Sequence, residues 1–361
     1  MTTIEKYAIL KEQTVAFYIK EVGDAVENST LKQIAQELGI SVSTVSRAIN
    51  GKSVVKKETR KRVLELAQKY AYTPNEVARA LKNASTHTVA VVLPDISETF
   101  FGKIVKELDQ ELSAHGYMLI LADTHENPKK ERKLLDMLFT RRVDALVLAT
   151  VDPEGSSVKK FTDRGIPVVF IDNLPALAGV DAIAIDNRQA SRIAAEHLVG
   201  RGHRRIAAVF GSLEETTGRE RFEGFCDALA ERDIPVDSSL ITFGDFKRPS
   251  GYEAMKRLLE NREMHPFSAV YVTSEQMSYG ALQAIGEAGL SIPKDLSFIG
   301  FDIPAPDAPA ERRITSVRQP EALIGRKVGE QLLLRLSSLA AAKTEAPEAF
   351  LQEGDTVAEL L

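Results

Sequence analysis

Val42, Ser43 and Arg47 lie within six residues of one another, and on a helix they share the outer side of its N-terminal end. The chemistry open to such a trio is recognition: this is where the second helix of a helix-turn-helix meets base edges in a DNA groove. Catalytic chemistry has less to stand on. Gly51-Lys52-Ser53 ends like a phosphate-binding loop, but position 46 is serine where the first glycine of that loop belongs, and no strand precedes it. Neither a G-x-S-x-G nucleophile elbow nor an H-E-x-x-H zinc motif occurs. The six histidines are scattered, and the pair His197 and His203 straddles a helix-to-strand turn without cysteine partners. The single cysteine, Cys226, sits among Phe222, Phe225 and Leu229 at helical spacing, as a core residue does, and it excludes a disulfide framework. No metal, cofactor or enzymatic activity is expected.

The elements that must position the trio are legible around it. Thr30 is a good N-cap, and Gln33 three residues on completes a capping box. Ile34, Ala35 and Leu38 then share one helical face, and Gly39 follows where the chain must bend. Ser41 can cap a second short helix in which Val45 and Ile49 point inward. A third helix is expected from Lys57 to Tyr70. An ordinary helical hairpin in a protein core is the competing reading of the apolar pattern, and charge counts sharply against it. Residues 30–83 hold 11 Lys or Arg against 4 Asp or Glu, although the whole chain carries −5. The run Lys56, Lys57, Arg60, Lys61, Arg62 lies just after the second helix, where phosphate contacts belong. A basic head on an acidic body is the charge pattern of a nucleic-acid-binding module attached to a separate domain.

From Thr86 onward the texture alternates between strand and helix. Apolar strands are predicted at Val89–Leu93, Met118–Ala122, Ala145–Ala149, Val168–Ile171, Ala182–Ile185, Ile206–Phe210, Ala269–Val272 and Phe298–Phe301, with a weak final strand near Ala349–Glu353. Helical stretches between most of them point to doubly wound parallel sheets, two such units forming two lobes with a cleft between them. Ligands of these sheets sit beyond the carboxyl ends of the strands. That places a site near Pro94–Phe101, Asp172–Asn173, Gly211–Arg221, Gly244–Phe246, Ser274–Glu275 and Phe301–Asp302. No apolar run reaches membrane-spanning length, and the first residues, broken throughout by charges, resemble no secretory signal, so a soluble cytoplasmic protein is expected.

The order of motifs resembles the lactose-repressor/galactose-repressor family of bacterial transcription regulators. The motifs are SVSTVSRAIN, KKETRKRVLELAQKYAYTPNEVARALK, VAVVLPDISETFF, TTGRERFEGF, LSFIGFD and ITSVRQP. The resemblance covers roughly residues 30–340. It implies an all-α helix-turn-helix head (30–74), a hinge helix and linker (75–85), and a two-lobed, periplasmic-binding-protein-like α/β body (86–361), with residues 1–29 an unassigned extension. It further implies a repressor that binds double-stranded, pseudo-palindromic operator DNA as a homodimer and is gated by a small effector, a sugar or sugar derivative.

By the same resemblance, Val42, Ser43 and Arg47 read bases, Arg47 donating to guanine O6 and N7 and Val42 meeting a thymine methyl. Thr30, Ser41, Thr44, Ser46 and Asn50 position the phosphates. Leu81, beside Lys82, is the wedge that the hinge helix inserts into the minor groove. In the body, Arg221 and Asp302 take effector hydroxyls or ring nitrogens, Phe100, Phe101 and Phe246 contact the ring, and Thr217 and Ser274 add polar groups. The chain departs from the family pattern at Ser274-Glu275, where many members have Asn-Asp or Asp-rich pairs. Glu215 stands where the purine-binding member has arginine, which speaks against a hypoxanthine-like effector. Ala71 replaces a glycine at a helix end. Other classes remain open: a regulator answering to a protein co-regulator or a nucleoside-type ligand, and a pure ligand-binding protein, against which the basic head counts.

Overall fold

The computed structural model describes residues 30–49, 55–72, 85–175, 177, 179–306, 313–337 and 342–360. Residues 1–29, Asn50 and the expected hinge helix with Leu81 and Lys82 lie outside the described residues. The chain divides into two compact units, one up to Thr86 and one from His87 onward.

The first unit contains helices α1 (30–38), α2 (Val42–Ile49) and α3 (Lys57–Lys69). α1 already includes Thr30, so the expected capping position is itself helical. Gly39 closes α1 at φ +63°, a left-handed conformation that glycine adopts without penalty, while the Ile40 amide donates to Ala35 O at 3.0 Å. Ser41 caps α2 as expected, its Oγ accepting from the Thr44 amide at 3.2 Å. Ile34, Ala35, Val45, Ala48, Val63 and Ala67 form the core of this unit. On α2, Val45 faces inward as expected, joined by Ala48, which is fully buried. Ile49 packs against the same core but is only half-buried. α3 ends one residue earlier than expected, and Ala71 takes φ +49° in the position where glycine is favoured.

The second unit is built on twelve described strands. Five come first: β1 (Thr88–Leu93), β2 (Met118–Asp123), β3 (Ala145–Leu148), β4 (Val168–Ile171) and β5 (Asp181–Ile183). Five more follow, β6 (Ile206–Phe210), β7 (Ile241–Phe243), β8 (Ala269–Val272), β9 (Ser297–Phe301) and β10 (Ser316–Arg318), then β11 (Thr344–Glu345) and β12 (Phe350–Gln352). They form two sheets, ordered β11-β5-β4-β3-β1-β2 and β12-β10-β9-β8-β6-β7. Every pairing is parallel except β10 with β12. The helices are α4 (Thr99–Ser113), α5 (Pro128–Thr140), α6 (Lys159–Asp163), α7 (Asn187–Gly200), α8 (Thr216–Ala230), α9 (Arg248–Glu260), α10 (Glu275–Glu287) and α11 (Glu321–Ser337).

The chain crosses between the sheets three times: after β5, between β10 and β11, and between β11 and β12. Each sheet is thus a lobe, and the crossings make a three-stranded hinge. β1, β3, β4, β6, β8 and β9 are apolar on both faces and wholly buried, as strands covered on both sides by helices must be. Three strands escaped the sequence reading: β7, β10 and β11. No helix among the described residues is long and apolar enough to cross a membrane.

Candidate functional site

At the start of α2, Ser41, Ser43 and Arg47 are exposed, while Thr30, Thr44 and Ser46 are half-buried. Ser41 Oγ lies 2.8 Å from both Ser43 Oγ and Thr44 Oγ1, so three hydroxyls gather at one helix N-terminus. There the unpaired amides and the helix dipole favour an anion such as a phosphate. Val42 is half-buried and packs on the head core, so only part of its side chain is open to a groove. On α3 and just before it, Lys56, Lys57, Arg60, Lys61 and Arg62 are all exposed. Glu37 on α1 faces none of them: the Tyr70 hydroxyl at 2.5 Å and Lys69 at 3.3 Å hold its carboxyl below the usual range.

In the second unit, the segments after the strand ends meet at one cleft between the lobes, with a free volume of about 70 Å³. Phe100, Phe101, Thr217, Arg221, Phe246, Ser274 and Asp302 all line it. Glu98, Phe100 and Phe101 come from the start of α4, and Asp172 follows β4 in the first lobe. From the second lobe come Thr217 and Arg221 on α8, Phe246 after β7, Ser274 after β8 and Asp302 after β9. Phe100 and Phe101 pack edge-on with ring centres 5.0 Å apart. Phe246 sits at φ +66°, and its ring lies over Gly211, where an added Cβ would fall 2.0 Å from the ring carbon Cζ. Asp172 and Asp302 are likewise left-handed, at φ +62° and +56°. Strained non-glycine residues gather where a site holds side chains in place.

Arg221 is buried and tightly held. Its Nε donates to Asn187 Oδ1 at 2.9 Å, Nη1 donates to Thr273 O at 2.8 Å, and the guanidinium lies 3.8 Å from the Phe301 ring centre. Asp302 accepts from both the amide and the Nε2 of Gln319, at 2.9 and 2.7 Å. Burial nevertheless pushes its carboxyl up to about 6. The two charges therefore stand fixed before any ligand arrives, which lowers the ordering cost of binding one.

The lobes are tied across the cleft. Thr99 Oγ1 donates to Glu275 Oε2 at 2.8 Å, Thr216 donates its amide to Asn173 Oδ1 and its hydroxyl to Leu174 O, and Lys247 pairs with Glu126 at 2.5 Å. These ties are polar, and two of their acceptor residues, Asn173 and Glu275, are buried.

Several lining residues were not singled out from the sequence: Glu98, Glu126, Thr150 and Gln319, whereas Asn173 and Glu215 were already named there. Glu98, Asn173 and Glu215 fall inside strand-end segments that the parallel-sheet rule marks. Thr150 follows the end of β3, which the same rule would have reached, and Gln319 follows β10, a strand the pattern did not reveal.

Residues 30–75 match the bacterial regulatory proteins of the lacI family. Residues 86–352 match the periplasmic binding proteins and sugar binding domain of the LacI family. The chain belongs to the LacI family of bacterial regulators. Catabolite control protein A from Priestia megaterium is 34% identical over 82% of this chain and 90% of its own length. The HTH-type transcriptional repressor PurR from Actinobacillus pleuropneumoniae is 32% identical, over 85% of this chain and 91% of its own. Among solved structures, a complex of the transcriptional regulator CelR with cellobiose is 29% identical. It superposes with a TM-score of 0.67, covering 90% of this chain and 99% of that one. This LacI-family chain is a transcription regulator whose head binds DNA through its helix-turn-helix and whose body is an effector-binding domain; its relatives are regulators, not enzymes.

Proposed function

We propose that the protein is a cytoplasmic repressor that binds a pseudo-palindromic operator as a homodimer and is gated by a small polyhydroxylated effector, a sugar or sugar derivative. The observation that carries the effector reading is the convergence of Arg221, Asp302, Thr217, Ser274 and three phenylalanines, from separate strand ends of both lobes, on one cleft. Aromatic walls with a few fixed polar groups suit a ring bearing hydroxyls. The cellobiose held by the CelR relative supports the sugar class.

Val42, Ser43 and Arg47 are proposed to read bases, with Thr30, Ser41, Thr44, Ser46 and Asn50 on phosphates and Leu81 and Lys82 in the minor groove. The working division is a head at 30–74, a hinge at 75–85 and a body at 86–361. Support for the dimer comes from the sheet edges. Met118 and Leu121 on the end strand β2, and Phe243 on the end strand β7, are exposed apolar residues on unpaired edges, which a second copy would cover. Lobe closure and operator binding then bias one two-state element from two sites.

A thermal-shift screen of the full chain against sugars, sugar phosphates and nucleosides tests the effector reading. A ligand at 100 times its dissociation constant stabilises the body by about 2.7 kcal/mol. Loss of that shift in Arg221→Ala locates binding in the cleft; an undiminished shift removes the site from it.

A further inference from the structure

The ties that cross the cleft differ in depth. Lys247 and Glu126 meet where both side chains are partly open to solvent, and Thr99, which reaches Glu275, is exposed. Asn173, by contrast, is 4% exposed. Its Oδ1 accepts from the Thr216 amide at 2.9 Å, and Thr216 Oγ1 donates to Leu174 O at 2.7 Å. Asn173 and Leu174 follow β4 in the first lobe, whereas Thr216 opens α8 in the second.

This tie is a helix cap supplied from the opposite lobe. The first amides of an α-helix have no partner within the helix, and a side-chain oxygen just before it normally answers one of them. Among the described residues, Glu215 precedes α8 and its side chain makes no capping bond. Asn173 answers the Thr216 amide instead, from across the cleft. α8 carries Thr217 and Arg221, so the first lobe holds the N-terminal turn of the helix that brings both to the cleft.

Asn173 is itself held. Its Nδ2 donates to Thr150 O at 3.1 Å, so a carbonyl on one side and an amide on the other fix which way its own amide points. Thr150 is buried in turn, its Oγ1 donating to Glu131 Oε1 at 2.8 Å, while the Val151 amide donates to Glu131 Oε2 at 2.8 Å. The oxygen that meets Thr216 is thus preorganised by α5 and the end of β3 in its own lobe. With α8 withdrawn, water can answer both groups. With α8 in place but its amide missing, Asn173 Oδ1 would stay buried and unpaired, which is costly.

We propose that Asn173 is a positioning residue of the cleft, a latch that caps α8 from the opposite lobe and holds the two walls together. The proposal rests on reading the cleft as the effector site, because the latch keeps Phe100 and Phe101 of the first lobe beside Arg221 and Asp302 of the second. Its bonds run between protein atoms alone, so a distance measured with no ligand added tests it. Failure of the latch therefore leaves the effector reading standing.

Thr216→Pro is the decisive variant. The first position of a helix tolerates proline, and Glu215 before it already has the extended backbone, φ −88° and ψ 145°, that proline demands of its predecessor. The change deletes the amide and hydroxyl donors together while sparing α8 and the anchor of Asn173 on Thr150. Double electron–electron resonance reads the interlobe distance between spin labels at Lys133→Cys on α5 and Glu253→Cys on α9, both exposed, in a full chain carrying Cys226→Ala. Labelled chain is diluted into excess unlabelled chain, so that pairs within one chain dominate. The expected result is a closed-to-open ratio lowered about ten-fold by Thr216→Pro and by Asn173→Ala, as loss of one or two hydrogen bonds predicts. Thr216→Ser, which keeps both donors, should retain the parent's distribution. An unchanged distribution in Thr216→Pro overturns the latch even if Asn173→Ala opens the lobes, because Asn173 would then act only within its own lobe through Thr150. Opening by Thr216→Ser as large as that by Thr216→Pro assigns the effect to packing of the methyl group and overturns it too. Should Thr216→Pro fail to fold, Asn173→Ala decides by the same reading, and an unchanged distribution there overturns the latch.

Discussion

Replacing Glu98 by Gln should make the body's stability less sensitive to alkaline pH. In the folded protein this carboxyl is pushed from 4.5 up to about 8, first by burial and then by Asp172, Asp95, Glu275 and Glu126. In the unfolded chain it titrates near its ordinary value. Below pH 4.5 both states hold the proton and the group costs nothing. Between 4.5 and 8 only the folded state holds it, so stability falls as pH rises, by about 1.4 kcal/mol per pH unit. Carried to pH 7, the loss is about 3 kcal/mol for a cleft that stays closed. Glutamine carries no such proton. Urea unfolding of the body in both proteins from pH 4.5 to 8 reads the difference. The two should agree within error at pH 4.5, with the variant becoming the more stable by roughly 3 kcal/mol at pH 7. A difference that stays constant across that range, or a variant less stable at pH 8, would refute the reasoning, because it would mean that Glu98 is ionised and paired at neutral pH.

Ala71→Gly should stabilise the head by about 1 kcal/mol, since a residue with a Cβ at φ +49° pays a penalty that glycine avoids; an unchanged unfolding transition of the head would contradict this. Ser41→Ala removes the hydroxyl that accepts from the Thr44 amide and should cost the head about 1 kcal/mol, read in the same unfolding measurement. Gly211→Ala places a Cβ 2.0 Å from the Phe246 ring, so that ring must leave the cleft wall. Effector affinity should fall while operator binding without effector is retained, and unaltered affinity would show that Phe246 does not contact the ligand.

Much of this architecture is readable from local pattern because its central strands are apolar on both faces. Val168–Ile171, Ile206–Phe210 and Ala269–Val272 are found where the residues predict them. The strands that escape prediction are two or three residues long. β7 is an edge strand paired only with β6, and β11 pairs only with β5, so neither carries the apolar run of a buried strand. β10 is buried but polar at both ends: Arg318 donates to Ile303 O and pairs with Glu321, partners that no local window shows. The cleft follows the same division. Arg221, Asp302 and the phenylalanines come to notice through family motifs and strand ends. The meeting of Glu98 and Asp172 with Glu215 depends on closure of two lobes whose segments lie more than 40 residues apart in sequence. In the head, helix order, the Gly39 turn and the Ser41 cap are local events. The half-burial of Val42 arises from packing of all three helices and is not written in its spacing.

The central claim, a sequence-reading head on an effector-gated body, is tested most directly by selection of bound duplexes from a random double-stranded pool. The full chain and its Arg47→Ala variant would be compared at one fixed salt concentration. The account predicts enrichment of a two-fold related sequence by the wild type. In the variant, preference should relax at one position of each half-site, with a loss of about 1–3 kcal/mol on the selected site. No enriched sequence, or an Arg47→Ala loss uniform across all duplexes, would contradict the assignment of α2 as the helix that reads bases.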